Sequence, residues 1–524
     1  MARHSFTGVN NSVMKRRVLS RFRTSAALLL LLFKAFLLVS VKSLSVVPTS
    51  SSSVSNKRPY RFVLLGGTGK IGTAVAQQIL RREPESEIVL LGRNPEKGRL
   101  AVQEILAKSA TTQQRQSSAS ESFPQISFHA IDDFWSDQGK TSLRKSLSQA
   151  DALIHTAGPF GETETLSYQQ LIQPLEIALD CQIPVYVDVA DPLPYLERCL
   201  LLNGVATAAG SEIKTTCLLS AGAFPGMSNV LAIEGAGSTL FGGDRVQDLF
   251  FQYFTSGLGG SGPVNLYITN VGFGEPMVQY DQGELRWFNQ LSGRLLGTKD
   301  FSTSRNTGLS ATVDLDKQTE QQLQMLADRV GQSQVFAWPF PEAATVAKQL
   351  NIRGSSIACM GTAPEFWNTM LGILVEIVPR PLWRNHRFCK FLADFSEPLV
   401  KFSDWLLQKF DQAAIDESMK GETHAMRVDI RRRDGSGVSI FQAHDSFRHC
   451  VGQSCAEFAL DCLKYPQAGV HLPEQRYREE GARSRIVEQL TRTPGTFCYS
   501  GPVAMDKIFA PSSLEEMLAR ADLQ

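Results

Sequence analysis

From Tyr60 to Leu65 the chain is an apolar, β-rich run, the pattern of a strand buried on both faces. Glycines interrupt it at 66, 67, 69 and 72, and Ile71, Val75 and Ile79 then recur at helical spacing with Ala74 and Ala76 between them. Apolar runs follow at Glu87–Leu91, Ile126–Ile131, Ala152–Thr156, Val185–Val189 and Thr215–Leu219, and Leu166–Asp180 has helical periodicity. Strands alternating with helices predict a parallel sheet. Ser109–Ser122 is polar and without a core-forming pattern, so a flexible loop is expected there.

The pattern changes in the second half. Leu249–Thr255 is strand-like, and Ser256–Asn265 is a glycine-rich turn or pocket loop. Tyr280–Glu284 reads as a hairpin turn, and Met426–Arg432 and Val438–Ala443 flank Asp434-Gly435-Ser436-Gly437, another hairpin signal. These predict an antiparallel sheet with its own helices. The expected organisation is a targeting leader over 1–57, a Rossmann-type α/β domain over 58–222, and a second α+β domain for substrate or dimerisation over 223–524. Phe366–Val378 is apolar, open to three readings: a buried core helix, the wall of a greasy substrate tunnel, or a segment resting on a membrane. Phe391–Phe410 repeats aromatics at near-helical spacing and raises the same question.

At 524 residues, 43% hydrophobic and 20% charged, the chain is globular and long enough for two domains. Its charge is uneven. Residues 1–58 hold ten Lys or Arg and no acid, leaving 43 basic and 52 acidic residues in the remainder, a net −9. A mildly acidic body argues against a nucleic-acid partner. The nine cysteines include no C-x-x-C pair, and the spacing of His449, Cys450, Cys455 and Cys462 suits a packed helix face better than a metal site.

The start of the chain reads as an address. A basic segment precedes the apolar run Ala26–Val41, which is short for a membrane span and holds Lys34 at its centre. Ser43-Leu44-Ser45 offers small residues for cleavage, and a serine-rich, basic, acid-free stretch follows. Signal peptide and transit peptide in tandem resemble the two-part leader of proteins bound for plastids with extra envelope membranes. The alternative is an uncleaved signal anchor that leaves the protein on a membrane of the secretory pathway.

Gly67-Thr68-Gly69-Lys70-Ile71-Gly72 fits G-x-G-x-x-G on a strand-to-helix turn, the setting in which that motif binds a dinucleotide. Gly67 permits the tight turn, Gly69 lets a pyrophosphate approach the backbone, and Gly72 lets the helix lie close to the strand. The N–H groups of the first helical turn then face the phosphates. A glycine turn used only for packing is the alternative. A G-x-x-x-x-G-K-[ST] loop is excluded, because Leu64 stands at the first glycine and Ile71 at the hydroxyl. The second strand ends in Gly92-Arg93-Asn94, where an NAD site would carry an acid. A guanidinium can fork onto a 2′-phosphate, which favours NADP; a merely solvated Arg93 is the other reading.

GGTGKIG, LLGRN, HTAGPFG, VYVDVAD, GAFPGMSN and GVHLPE together resemble the saccharopine dehydrogenase-like oxidoreductases, nearest their plastid and cyanobacterial branch, over residues 60–475. The resemblance implies a Rossmann domain, NADP, a second domain closing over the nicotinamide, and a homodimer. By position it implies pyrophosphate contacts from Gly67, Thr68, Gly69, Lys70 and Ile71, and 2′-phosphate contacts from Arg93 and Asn94. Ala157 and Gly158 would lie beneath the nicotinamide half, with Phe224, Pro225, Gly226, Met227, Ser228 and Asn229 at the substrate mouth. Saccharopine-forming members carry an acid before that Pro-Gly; Phe224 stands here, which argues against an amino-acid substrate.

The implied reaction is hydride transfer to a C=O, C=N or C=C of a small, hydrophobic molecule. Candidate proton donors are His155, Asp188, Tyr253 and His444, and no spacing singles one out. The Tyr-x-x-x-Lys pair of short-chain dehydrogenases is absent, since none of the ten tyrosines has Lys four residues later. The alternative function is an NADP-binding sensor or assembly factor without catalysis.

Overall fold

A computed structural model of the chain describes residues 58–114, 125–208, 212–237, 246–257, 263–281, 283–288, 292–301, 317, 321, 330–410 and 421–502. The expected leader, including Ala26–Val41, lies outside the described residues. Within 59–524 the chain forms one compact unit holding two sheets.

The first sheet is all parallel. Its strands are β1 (Arg61–Leu65), β2 (Glu87–Gly92), β3 (Gln125–Ala130), β4 (Ala152–His155), β5 (Val185–Asp188) and β6 (Thr216–Leu218). The second contains β7 (Val246–Ser256), β8 (Met277–Asp281), β9 (Glu284–Phe288), β10 (Leu295–Asp300), β11 (Gln332–Ala337), β12 (Ser355–Ala363), β13 (Thr423–Arg432) and β14 (Gly437–His444). Two late strands follow, β15 (Gly469–His471) and β16 (Thr496–Pro502). The first sheet runs β15-β6-β5-β4-β1-β2-β3, the doubly wound order with one added edge strand. The second runs β10-β11-β12-β7-β13-β14-β16, antiparallel except where β12 pairs with β7, and β8 and β9 hang from β12. The expected fold class is therefore the observed one.

The linear boundary at 222 needs correction. Val470 pairs with Cys217 in the parallel sheet, so residues 469–471 return to it after the second sheet's first eight strands. A helix, Phe447–Lys464, joins the two regions. A Cβ at its Gly452 would sit 2.5 Å from Ala74 Cβ, so this helix lies nearly in backbone contact with the helix Lys70–Arg82. Its Cys450, Cys455 and Cys462 are buried on other faces, Cys450 Sγ accepting from Gln442 Nε2 of β14 at 3.6 Å. Phe62, Leu64, Val75, Val230, Tyr253 and Phe458 share one hydrophobic core, which explains why the two sheets form a single unit.

Two loop expectations also change. The helix after β2 runs Pro95–Gln114, so 109–114 of the expected loop is helical, and 115–122 lies outside the described residues. The glycine-rich Ser256–Asn265 stretch gives way at Pro263 to the helix Pro263–Gly274; 258–262 are outside the described residues. Phe366–Ile377 is a helix, but only partly buried: Trp367 and Leu371 face inward and Ile377 outward. Among the described residues no helix is long and apolar enough to cross a membrane.

Candidate functional site

The glycine turn leaves the buried end of β1. Gly66 has φ +82°, its N–H donates to Leu91 O at 3.0 Å, and Gly67 N–H donates to Leu64 O at 3.1 Å. The conformational freedom expected of Gly67 thus belongs to Gly66. Gly67 is required for space instead, because a Cβ there would come within 2.8 Å of Leu90 Cδ2. A Cβ at Gly72 would meet Gly66 O at 2.5 Å and Gly67 Cα at 2.6 Å, which confirms the close helix–strand approach.

Gly69 differs from these. It is exposed, caps Lys70–Arg82 without a side chain, and a Cβ there would have one neighbour within 4 Å, Gly66 O at 3.2 Å. No packing demand explains this glycine, and its bare side opens beside the positive end of a 13-residue helix with no acid in its first turn. That is the cradle a pyrophosphate needs. Lys70 is exposed and Ile71 half-buried beside it, and Thr68 packs against Gly92 at the end of β2.

Arg93 follows directly. It is exposed and makes no ion pair among the described residues. Asn94 caps the next helix: its Oδ1 accepts from Lys97 N–H at 3.0 Å and its carbonyl from Gly98 N–H at 3.0 Å. On the other side Ala157 lies against Gly66, where an added Cβ would reach Ala157 N at 2.7 Å. Gly158 is exposed, and a Cβ there would find only Phe160, at 3.9 Å. The loops after β1 and β4 therefore adjoin where the strand order reverses, the crevice in which doubly wound sheets bind nucleotides.

Two of the four candidate proton donors are held in a buried network next to this crevice. His155 Nδ1 lies 3.1 Å from Tyr186 Oη and its Nε2 3.1 Å from Ala157 O; burial pushes its pKa down to about 4. Asp188 accepts from Tyr186 Oη (3.2 Å), Tyr195 Oη (3.1 Å), Ala190 N (3.2 Å) and Ser220 N (2.9 Å). Burial raises its pKa to about 6 against those hydrogen bonds. Asp188 thereby ties the loop after β5 to the loop after β6, where Ser220 has φ +55°. His444 is buried among Gln453, Pro494 and Ser446. All three are held by hydrogen bonds within the protein.

Tyr253 is different. Its hydroxyl donates to the buried Glu342 carboxyl, whose Oε2 has no hydrogen-bond partner among the described residues. Burial is the main cause that raises the Glu342 pKa to about 8, with the fields of Glu474 and Asp191 adding to it. Phe224 stacks on the Tyr253 ring (4.2 Å, 11°) and on His424 (5.1 Å, 24°), and meets Phe340 edge-on at 5.2 Å. The position where the family resemblance led to an acid is thus the centre of an aromatic cluster.

Phe224, Pro225, Gly226, Ser228 and Asn229 are all buried, so they lie inside the molecule rather than at an open mouth. Asn229 organises them. Its Oδ1 accepts from Gly226 N (2.9 Å) and Ser228 Oγ (3.2 Å), while its Nδ2 donates to Glu474 Oε2 at 2.8 Å.

Sequence reasoning missed the acids of this region. Burial raises Asp191 to about 6 and Glu275 to about 7, the latter also through the Asp191 charge, and raises Glu474 as well. Asp191 follows β5, Glu275 follows Pro263–Gly274, and Glu342 and Glu474 begin short helices. Four carboxyls from both sheet regions thus have pKa values raised chiefly by burial, which disfavours their charged forms. Asp191 and Glu474 lay within the motifs VYVDVAD and GVHLPE, but neither was singled out; Glu275 and Glu342 lay in none.

No protein-family model and no curated protein matches the chain. Among solved structures, apo histidine-tagged saccharopine dehydrogenase (L-Glu forming) from Saccharomyces cerevisiae is similar over 85% of this chain and 100% of that chain, at 12% identity and a TM-score of 0.47. A short-chain dehydrogenase from Sphingobium yanoikuyae in complex with NADPH covers 30% of this chain and 70% of its own, at 13% identity and a TM-score of 0.21. Gre2 in complex with NADPH from Candida albicans covers 25% of this chain and 36% of its own, at 16% identity and a TM-score of 0.18. Likeness at these levels carries no argument about activity.

Proposed function

We propose that the chain is an NADP(H)-dependent oxidoreductase of the saccharopine dehydrogenase-like group, reducing a C=O, C=N or C=C of a small, hydrophobic molecule. The single observation that carries this reading is the open side of Gly69 at the positive end of Lys70–Arg82, with the exposed Arg93, without an ion pair among the described residues, at the end of the neighbouring strand. Gly67, Thr68, Gly69, Lys70, Ile71 and Gly72 would hold the pyrophosphate. Arg93 and the Asn94 amide would hold the 2′-phosphate, and Ala157 and Gly158 the nicotinamide half.

Bound there, NADPH supplies a hydride. The chain's own residues orient and protect the reacting group. The buried aromatic cluster around Phe224 keeps water from the Tyr253–Glu342 pair. The Tyr253 hydroxyl proton is committed to Glu342 and burial raises its pKa well above the ordinary value, so the proton available to a developing anion is that of the Glu342 carboxyl, held by a pKa of about 8. His155 and Asp188 hold the loops that carry these parts.

A non-catalytic NADP-binding sensor is the second reading, favoured by the fully bonded state of His155 and Asp188. The near-ultraviolet absorbance of reduced nicotinamide decides between them. The enzyme oxidises NADPH with some member of a panel of ketones, imines and enones; a sensor binds NADPH and leaves it intact across the panel. Delivery to a plastid by the leader completes the proposal, and a fluorescent fusion of residues 1–58 tests it by where it accumulates.

A further inference from the structure

The helix His386–Phe410 is anchored by one side only. Cys389, Ala393, Val400 and Ser403 are buried at helical spacing, and Ser403 Oγ accepts from Trp367 Nε1 at 3.0 Å. The other side is apolar and open: Phe391 is 64% exposed, Phe395 73%, Phe402 54% and Trp405 52%, with Leu399 among them. At 3.6 residues per turn these fall on the face opposite the anchored one. Polar residues do occur on the helix, but on a flank between the faces, where Lys390 pairs with Asp394 and Lys401 with Glu397. The apolar face is thus a separate face and not a shortage of polar residues.

Its size is unusual. Four aromatic side chains more than half exposed, at about 200 Å² each, leave roughly 500 Å² of contiguous apolar surface, at the upper end for a monomer. Phe391 stacks on Phe395 at 6.1 Å and Phe402 on Trp405 at 5.8 Å, so the rings form an ordered ridge.

Charge selects the occupant. Arg380, Arg384 and Arg387 precede the ridge in sequence, Arg387 being paired with Glu164 at 3.1 Å, and Lys409 lies at the far end, 4.9 Å over the Trp405 ring. Residues 380–410 hold six basic and three acidic side chains in a body of net −9. A two-fold pairing of this face with a second copy would set Lys409 against Lys409 in a parallel arrangement, or against the Arg384 end in an antiparallel one. Both bring like charges together. An anionic lipid surface meets both basic ends favourably while the rings enter the acyl boundary, with Lys409 and the arginines reaching back to the headgroups.

We propose that the Phe391–Trp405 face is a membrane-interface site for anionic phospholipid, on which this helix lies flat. It does not depend on the proposed oxidoreductase activity. The test uses the full chain with vesicles of equal parts phosphatidylcholine and phosphatidylglycerol, with and without brominated acyl chains. Residues 26–41 are common to every variant, so the local reporter is Trp405. Brominated chains quench the wild type and leave Trp405→Phe less quenched at equal binding. The triple variant Phe391→Ser, Phe395→Ser, Phe402→Ser abolishes that difference and partitions at least about tenfold more weakly. Arg384→Glu with Lys409→Glu weakens binding to mixed vesicles and leaves phosphatidylcholine alone unaffected. Equal quenching of wild type and Trp405→Phe overturns the proposal. So does a sedimenting dimer that Phe395→Ser dissociates while Trp405 stays unquenched, which would make a second copy the occupant.

Discussion

Replacing Glu342 by Gln isolates the energetic consequence of the buried phenol–carboxyl pair. The carboxyl is fully buried, and its pKa stands at about 8 against an ordinary 4.5. The unfolded chain therefore releases this proton first. Between about pH 5 and 8 the folded state binds more protons, so stability from this group is complete below the unfolded pKa and is lost as pH rises through the folded one. At 1.36 kcal/mol per unit, the separation amounts to roughly 3–6 kcal/mol, a large share of a total stability near 5–15 kcal/mol. Gln keeps the oxygen that accepts from Tyr253, but puts an amide donor where Oε2 has no hydrogen-bond partner among the described residues, at about 1–3 kcal/mol at every pH. Glu342→Gln is therefore less stable than the wild type at pH 5 and more stable at pH 9. Urea unfolding at pH 5, 7 and 9 reads the crossing. A stability difference that is the same at all three would refute the reasoning. Asp191 and Glu275 titrate in the same window, but they are common to both proteins and leave the difference intact.

Three further substitutions test separate parts of the site. Gly69→Ala should fold normally, since its methyl has one neighbour at 3.2 Å, and should weaken NADPH binding roughly tenfold or more in calorimetry; unaltered affinity would remove the cradle. Gly72→Ala puts a methyl 2.5 Å from Gly66 O and should lower stability by about 1–3 kcal/mol; a melting temperature equal to the wild type's would contradict the helix–strand approach. Phe224→Ala removes a ring packed among Tyr253, Phe340, His424 and Phe447 and should destabilise by about 3–5 kcal/mol in urea; a loss under about 1 kcal/mol would show that the cluster is not a packed core.

The parallel sheet was legible because most of its strands are local apolar runs buried on both faces; the edge strand β3 is only partly buried. The hairpin of β13 and β14 was legible from its Asp-Gly turn. What escaped were contacts between segments far apart in sequence. Gly469–His471 is three residues long and gains its strand identity from pairing with β6. The Pro95–Gln114 helix extends into a polar stretch that has no apolar stripe to announce it. At the site, the glycines were readable because the need for a bare backbone is local, although Gly66, not Gly67, carries the positive φ. The acids were unreadable for the opposite reason. Glu342 opens an unremarkable Pro-Glu-Ala-Ala sequence, and its meeting with Tyr253 spans 89 residues. Asn229 and Glu474 are 245 apart. The aromatic ridge of His386–Phe410 was visible as a period, but only its burial pattern shows which face is open.

The account's central claim is that bare backbone at Gly69 and the exposed charge of Arg93 together hold a dinucleotide bearing a 2′-phosphate. Isothermal calorimetry of NADPH and NADH against the wild type and Arg93→Asp tests it most directly. Arg93 is exposed and has no ion pair among the described residues, so the variant's fold should be intact. The account predicts that the wild type prefers NADPH, and that Arg93→Asp lowers NADPH affinity roughly 10- to 100-fold while leaving NADH within about threefold. Equal losses for both coenzymes, or no heat with either, would contradict it.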